Sequence, residues 1–160
     1  MALSKKPKDL KAILNACEDY LQEQGYKHKR DSQERLFFKM NGLNFVLFYE
    51  EEDESYIKLS AYFHSTEFPS SRATLLEHIN TLNAQRKVIK AYVDQDDDVD
   101  FSVEMFLGPS MDFMTNFERM VDLIETSANS FYRTFEHDEE DKFPFDGNED
   151  DDDDDDDNMA

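Results

Sequence analysis

The run Leu36-Phe37-Phe38-Lys39-Met40-Asn41-Gly42-Leu43-Asn44-Phe45-Val46-Leu47-Phe48-Tyr49-Glu50 decides the fold. Leu36, Phe38 and Met40 alternate with Phe37 and Lys39, the period of two that marks a strand. Asn41-Gly42 follows at once, and both residues tolerate the positive φ of a type I′ turn, so the chain reverses into a hairpin. The return strand runs from Leu43 to Glu50. One of its faces carries Leu43, Phe45, Leu47 and Tyr49; the other carries Val46 and Phe48, with Asn44 its one clearly polar member. A half-buried antiparallel strand alternates more cleanly than this. Two readings follow. Helices cover both faces of the sheet, or Phe37, Val46, Phe48 or Tyr62 forms part of an exposed apolar patch for a protein partner or a second subunit.

Working outward, an acidic tip at Glu50 to Glu54 leads into a third strand, Ser55 to Phe63, completing a meander. Tyr26 to Lys29 could add a short edge strand, although its polarity weighs against it. Before that, Leu10, Ile13, Leu14, Cys17, Tyr20 and Leu21 fall on one helical face. Ser4 or Asp9 can cap this helix, Pro7 suits its first turn, and Gly25 sits where a left-handed stop belongs, which predicts a helix from Pro7 to Gln24. After the meander, Pro69-Ser70-Ser71 signals a second helix, carried by Leu75, Leu76, Ile79 and Leu82 and ending near Arg86. Val88 to Asp94 and Val99 to Leu107 form a second hairpin, and Gly108-Pro109 breaks it. The final helix carries Met111, Met114, Phe117, Met120, Val121, Ile124, Ala128, Phe131, Tyr132 and Phe135, with Phe113 and Leu123 widening the stripe. Core packing explains much of that width, and dimerisation through this helix would explain the rest. The order α-β-β-β-α-β-β-α, with short strand links, predicts an α+β fold with a largely antiparallel sheet packed with helices.

The 160 residues suit a single domain. Net charge is −21, unevenly placed: residues 136–160 hold 15 acids and one base, a net −14, leaving −7 for residues 1–135. The expected organisation is therefore one domain over 1–135 and a disordered acidic tail over 136–160 containing eight consecutive aspartates, Asp150 to Asp157. Such a field disfavours direct nucleic-acid binding and anionic membranes. The start of the chain shows no apolar segment of the secretory type, and Cys17 has no cysteine to pair with, so a cytoplasmic location is expected.

Motifs for chemistry are sparse. His28, His64, His78 and His137 have no second ligand at metal spacing. Asp94, Asp96, Asp98 and Asp100 copy the first positions of a calcium loop, but Val99 stands where glycine is needed and Met105 where the bidentate glutamate belongs, so a solvated hairpin tip is the better reading. The four glycines, at 25, 42, 108 and 147, make no phosphate cradle. Cys17 on an apolar helix face reads as a buried thiol, and Ser70, Ser71 and Ser110 as helix caps. No cofactor, metal site or catalytic residue is expected. Asn80 and Asn83, beside the apolar face of the second helix, read as amides that tie it to the following hairpin. Phe143 and Phe145 stand out in the acidic tail. They are expected to make a weak contact with a partner's groove or with the chain's own domain, in the latter case at the basic start, Lys5 to Lys11.

Ile79-Asn80-Thr81-Leu82-Asn83, Lys90-Ala91-Tyr92-Val93-Asp94, the acidic turn and Val99 to Glu104 resemble the YbjN family, as do Gly25-Tyr26 and Asn41-Gly42-Leu43-Asn44-Phe45. The resemblance spans roughly residues 9–133. It implies a bacterial sensory transduction regulator whose fold is similar to that of type III secretion chaperones, which are small, acidic, usually dimeric proteins that bind extended protein segments. It supplies no catalytic residue. The turn at Asp94 to Asp98 lacks a glycine often found there in the family, and the poly-Asp run is no part of the family pattern. The expectation is a non-enzymatic, homodimeric, protein-binding regulator or chaperone-like module. The alternative is an acidic-tail protein that sequesters basic, nucleic-acid-binding partners.

Overall fold

A computed structural model describes residues 9–50, 52–68, 70–108 and 111–140, with residues 54 and 136–140 placed by backbone alone. Helix α1 (Leu10–Glu23) begins where Asp9 accepts a hydrogen bond from the Ala12 amide, the N-cap that satisfies an otherwise orphaned donor. It stops before Gly25, whose φ of +74° is the left-handed conformation expected of that position. The short strand β1 (His28–Arg30) follows, then β2 (Leu36–Met40), β3 (Leu43–Glu50) and β4 (Asp53–Phe63). Asn41 and Gly42 both adopt positive φ between β2 and β3, as the I′ turn requires. A 3-10 turn, Ser65–Glu67, leads to helix α2 (Arg72–Gln85), capped by the Ser71 hydroxyl. Strands β5 (Ile89–Val93) and β6 (Val99–Phe106) precede the long helix α3 (Phe113–Glu140). The helix runs five residues past Phe135, the end its apolar stripe predicts. Its first turn is held by Asp112, which accepts from the Met114 amide and the Thr115 hydroxyl; Ser110 lies outside the described residues.

The six strands form one sheet in the order β1-β2-β3-β4-β6-β5, every neighbouring pair antiparallel. The edge strand that its polarity weighs against is present: His28 pairs with Phe38 and Arg30 with Leu36. Arg30 also reaches α1, hydrogen-bonding Asn15 at 2.5 Å and ion-pairing with Glu18 at 3.5 Å. Long-range partners thus stabilise a segment with no hydrophobic signal of its own.

All three helices pack on one face, α1 against β1 and β2, α2 against β5, and α3 across β4 and β6 between the other two helices. That face supplies Leu36, Phe38, Phe45, Leu47, Ile57, Leu59, Val99, Phe101 and Val103 to the core. Phe117 and Phe131 of α3 are fully buried against it, and Phe131 stacks edge-on to Phe101 at 5.5 Å and Phe68 at 5.1 Å. Burying these side chains is the main driving force for the two-layer arrangement. The width of α3's stripe is accounted for by its three packing partners: among the described residues, no large apolar side chain of α3 is exposed. Cys17 is buried at the α1–α3 contact, 3.7 Å from the Met114 sulfur, and burial pushes its thiol up to about 12. An inert packing role is what its place on the apolar face predicts.

Candidate functional site

Among the described residues no helix covers the second face of the sheet, and Phe37, Tyr62, Tyr92 and Phe106 reach solvent there. Register fixes what stands beside what. One row across the sheet is Phe37, Val46, Ser60, Ser102 and Lys90; beside it Phe48, Lys58 and Glu104 form a second, and Tyr62, Asp100 and Tyr92 a third. Tyr56 pairs with Phe106 at one end. The structure therefore brings together on one face the four sheet residues singled out from sequence. Tyr62 is half exposed, Phe37 and Phe48 are partly exposed, and Val46 is covered by its neighbours. Phe143 and Phe145 lie outside the described residues, as do Lys5, Lys6 and Lys8; Lys11 pairs with Glu34 at 3.6 Å.

The middle of the face is polar and closely packed. Lys58 stands on β4 with its ammonium 3.4 Å from Asp100 Oδ2 and 3.9 Å from Glu104 Oε1, the two acids that flank Ser102 on β6. The same ammonium lies 5.6 Å from the ring centroids of both Phe48 and Tyr92, within cation–π range. Tyr92 donates its hydroxyl to Asp100 at 2.8 Å, and Lys90 pairs with Glu104. Although no helix covers them, Asp100 is 1% exposed and Ser60 and Ser102 are fully buried, because the longer side chains around them close over the strand surface. Asp100 Oδ1 and Ser60 Oγ have no hydrogen-bond partner there.

The ionisation pattern follows from this packing. Burial, followed by the Glu104 charge and its hydrogen bond, pushes Tyr56 up to about 12. Burial, then the hydrogen bond to Asp100 and its charge, raises Tyr92 well above an ordinary tyrosine. Burial and Asp100 likewise raise Tyr62. Burial opposes the charge on Glu104, but the hydrogen bond and charge of Lys90 and the charge of Lys58 outweigh it and hold Glu104 below its usual range. Two lysines thus balance two acids, and the phenols remain neutral donors. The arrangement is a closely packed, charge-balanced centre ringed by aromatic side chains.

Sequence reading singled out Phe37, Val46, Phe48 and Tyr62 on this face but not Tyr56, Lys58, Lys90, Tyr92, Asp100, Glu104 or Phe106. The signal for these lay in the alternation on β6, where Asp100, Ser102, Glu104 and Phe106 share a face. The calcium-like spacing comes apart in space. Asp94 accepts amides from Asp96 and Asp98 to close the turn, Asp98 accepts from Ser65, and Asp100 points into the sheet face. Among the described residues no three His, Cys, Asp or Glu side chains are placed to hold a metal. No described helix is long and apolar enough to cross a membrane. Asn83 does what its position suggests: its amide donates to the Ala91 carbonyl at 2.9 Å and accepts from the Ala91 N–H at 3.0 Å, fastening α2 to the outer edge of β5.

This architecture has relatives. The sequence profile of the YbjN family, described as "Putative bacterial sensory transduction regulator", matches residues 14–137. The crystal structure of YbjN from E. coli, titled a putative transcription regulator, is similar with a TM-score of 0.58 at 17% identity, over 79% of this chain and 93% of that one. An uncharacterized protein from Methanothermobacter thermautotrophicus is similar with a TM-score of 0.52 at 11% identity, over 76% of this chain and 97% of that one. No curated protein matches the sequence. At these identities the two structures share a fold with this chain, and the profile match over most of its length decides the family: the chain belongs to the YbjN family.

Proposed function

We propose that this chain is a non-enzymatic regulator of the bacterial cytoplasm that works by docking a protein partner on the open face of its sheet. One observation carries the reading: among the described residues a six-stranded sheet has one face without helices, and that face bears Phe37, Phe48, Tyr56, Tyr62, Tyr92 and Phe106 around a charge-balanced centre. Aromatic side chains around a depleted net charge are the composition of interface cores. The family's description as a regulator supports the same reading. The first occupant to test is a second copy of the chain. Two molecules of net charge −21 repel one another, and on this face Lys58 and Lys90 offset Asp100 and Glu104, which lowers that repulsion locally.

Light scattering on the full chain at tens of micromolar tests this directly. The expected mass is that of two chains, falling to one in Phe106→Asp or Tyr62→Asp with the melting temperature unchanged. A single-chain mass for the unsubstituted protein removes the dimer. The wider docking reading then rests on cross-linking from a photoreactive residue at position 62 in the native host. Cross-links that vanish on removing residues 141–160, but survive Phe106→Asp, would transfer the role to the acidic tail and to basic partners.

A further inference from the structure

On the opposite side of the sheet, between the β5–β6 hairpin and the first half of α3, lies a cavity of about 310 Å³. This is the lower end of the size range of small-molecule pockets. Val103 and Met105 of β6 form its floor, Met120 and Leu123 of α3 its wall, and Val88 its lip. Methionine lines it from two sides, a side chain that adapts to irregular apolar ligands. The mouth is cationic and polar: Lys87, Arg119 and Asn116. Other basic side chains near acids are paired, Arg30 with Glu18 and Glu34, Arg35 with Asp31, Arg72 with Asp97 and Lys90 with Glu104, whereas Lys87 and Arg119 have no ion-pair partner among the described residues. Lys87 and Arg119 thus give the lining of the cavity two cations with no ion-pair partner among the described residues.

The backbone adds an independent observation. Val88 has φ +71°, a left-handed conformation that is an outlier for a β-branched residue, and its side chain is 64% exposed. Successive residues of an extended chain point to opposite sides. The left-handed turn at Val88 instead sets both Lys87 and Val88 against the cavity. Strain of this kind persists where surrounding structure imposes it and concentrates at binding sites.

We infer that this cavity is a binding site for a medium-chain fatty carboxylate: the alkyl chain lies along Val88, Met105 and Leu123, over the buried Val103 and Met120, and the carboxylate meets the Arg119 guanidinium and the Lys87 ammonium. Arginine's planar fork suits a carboxylate, and the apolar floor requires a ligand whose remainder is hydrocarbon. The site is separate from the open sheet face, so the two readings stand or fall independently.

Titration calorimetry of the full chain with butanoate, hexanoate, octanoate and decanoate tests it. Affinity should tighten about fourfold per added methylene until the cavity is full, the fold-change that ~0.8 kcal/mol per buried CH₂ gives. Octylamine should bind at least about tenfold more weakly than octanoate, since the charge-assisted hydrogen bonds are replaced by repulsion. Leu123→Trp, which fills the cavity, should abolish binding, and Arg119→Glu should weaken it at least about tenfold with folding confirmed by circular dichroism. An affinity that does not change with chain length overturns the proposal. So does equal binding of the amine, or an unaltered affinity in Leu123→Trp.

Discussion

Val88 shows how much one residue's backbone can cost. A left-handed L-residue brings Cβ close to the following carbonyl at about 1–2 kcal/mol, and a branched side chain makes this worse. Val88→Gly should therefore raise unfolding stability by roughly 1 kcal/mol, after the greater freedom of glycine in the unfolded chain is set against the relief. Denaturant titration at neutral pH measures it. Asn83 works in the other direction. Replacing it with alanine removes two hydrogen bonds and leaves the Ala91 backbone groups without these partners, so Asn83→Ala should cost about 2 kcal/mol. Lys58 is coupled more tightly still. Lys58→Met leaves Asp100, 1% exposed, without its ion-pair partner and should destabilise by about 3 kcal/mol, the range found when one side of a buried pair is removed. Adding Asp100→Asn should recover much of that loss, which a double-mutant cycle would show as strong coupling.

At the scale of the element, the strands β4, β6 and β5 give the sheet a pH window. Tyr56 and Tyr92 have folded values above the ordinary tyrosine value of 10.0. Their contribution to stability is thus fully present below pH 10 and is lost as pH rises through the folded values, the lower of which is about 12. Glu104 is held below its ordinary 4.5, so its contribution is present above that value and is lost as pH falls through the lowered one. Urea midpoints measured from pH 9 upward should fall, and fall less steeply in Tyr92→Phe; on the acid side Glu104→Gln should flatten the decline. Strands and helices of this fold were legible because each carries a period and a stop signal: the alternation of β2, the Asn41-Gly42 turn, the Asp9 and Ser71 caps. Strand β1 was not, since His28, Lys29 and Arg30 gain their place from pairing with β2 and from Arg30's bonds to α1, neither of which is local. The apolar excess of β3 was visible too. Which side of the sheet the helices take was not, because a helix's apolar stripe does not say on which side of a sheet it will lie. The polar centre of the open face depends on three strands meeting in register, and no single segment records that.

Across the whole molecule, charge sets the terms of association. Residues 141–160 contain eleven acids and one base, so their removal takes the chain from −21 to −11. If copies or acidic partners meet on the open face, the shortened chain should associate more tightly than the full one at low salt. The difference should disappear near 1 M salt, where screening shortens to about 3 Å. Sedimentation of both chains across a salt series checks this. The two margins of the sheet carry a further consequence. At one, Asn83 and Arg72 occupy backbone groups of β5 and the residue after it; at the other, β1 is three residues long and carries Lys29 and Arg30. Among the described residues, one margin has its outer backbone groups partly occupied and the other is short and basic, so neither is a ready ladder for a neighbouring chain. Growth by adding strands sideways, the geometry of a fibre, is disfavoured, and the flat face, once met by its own like across a twofold axis, is used up. In the pairing proposed above, the assembly is therefore finite: it closes at two chains.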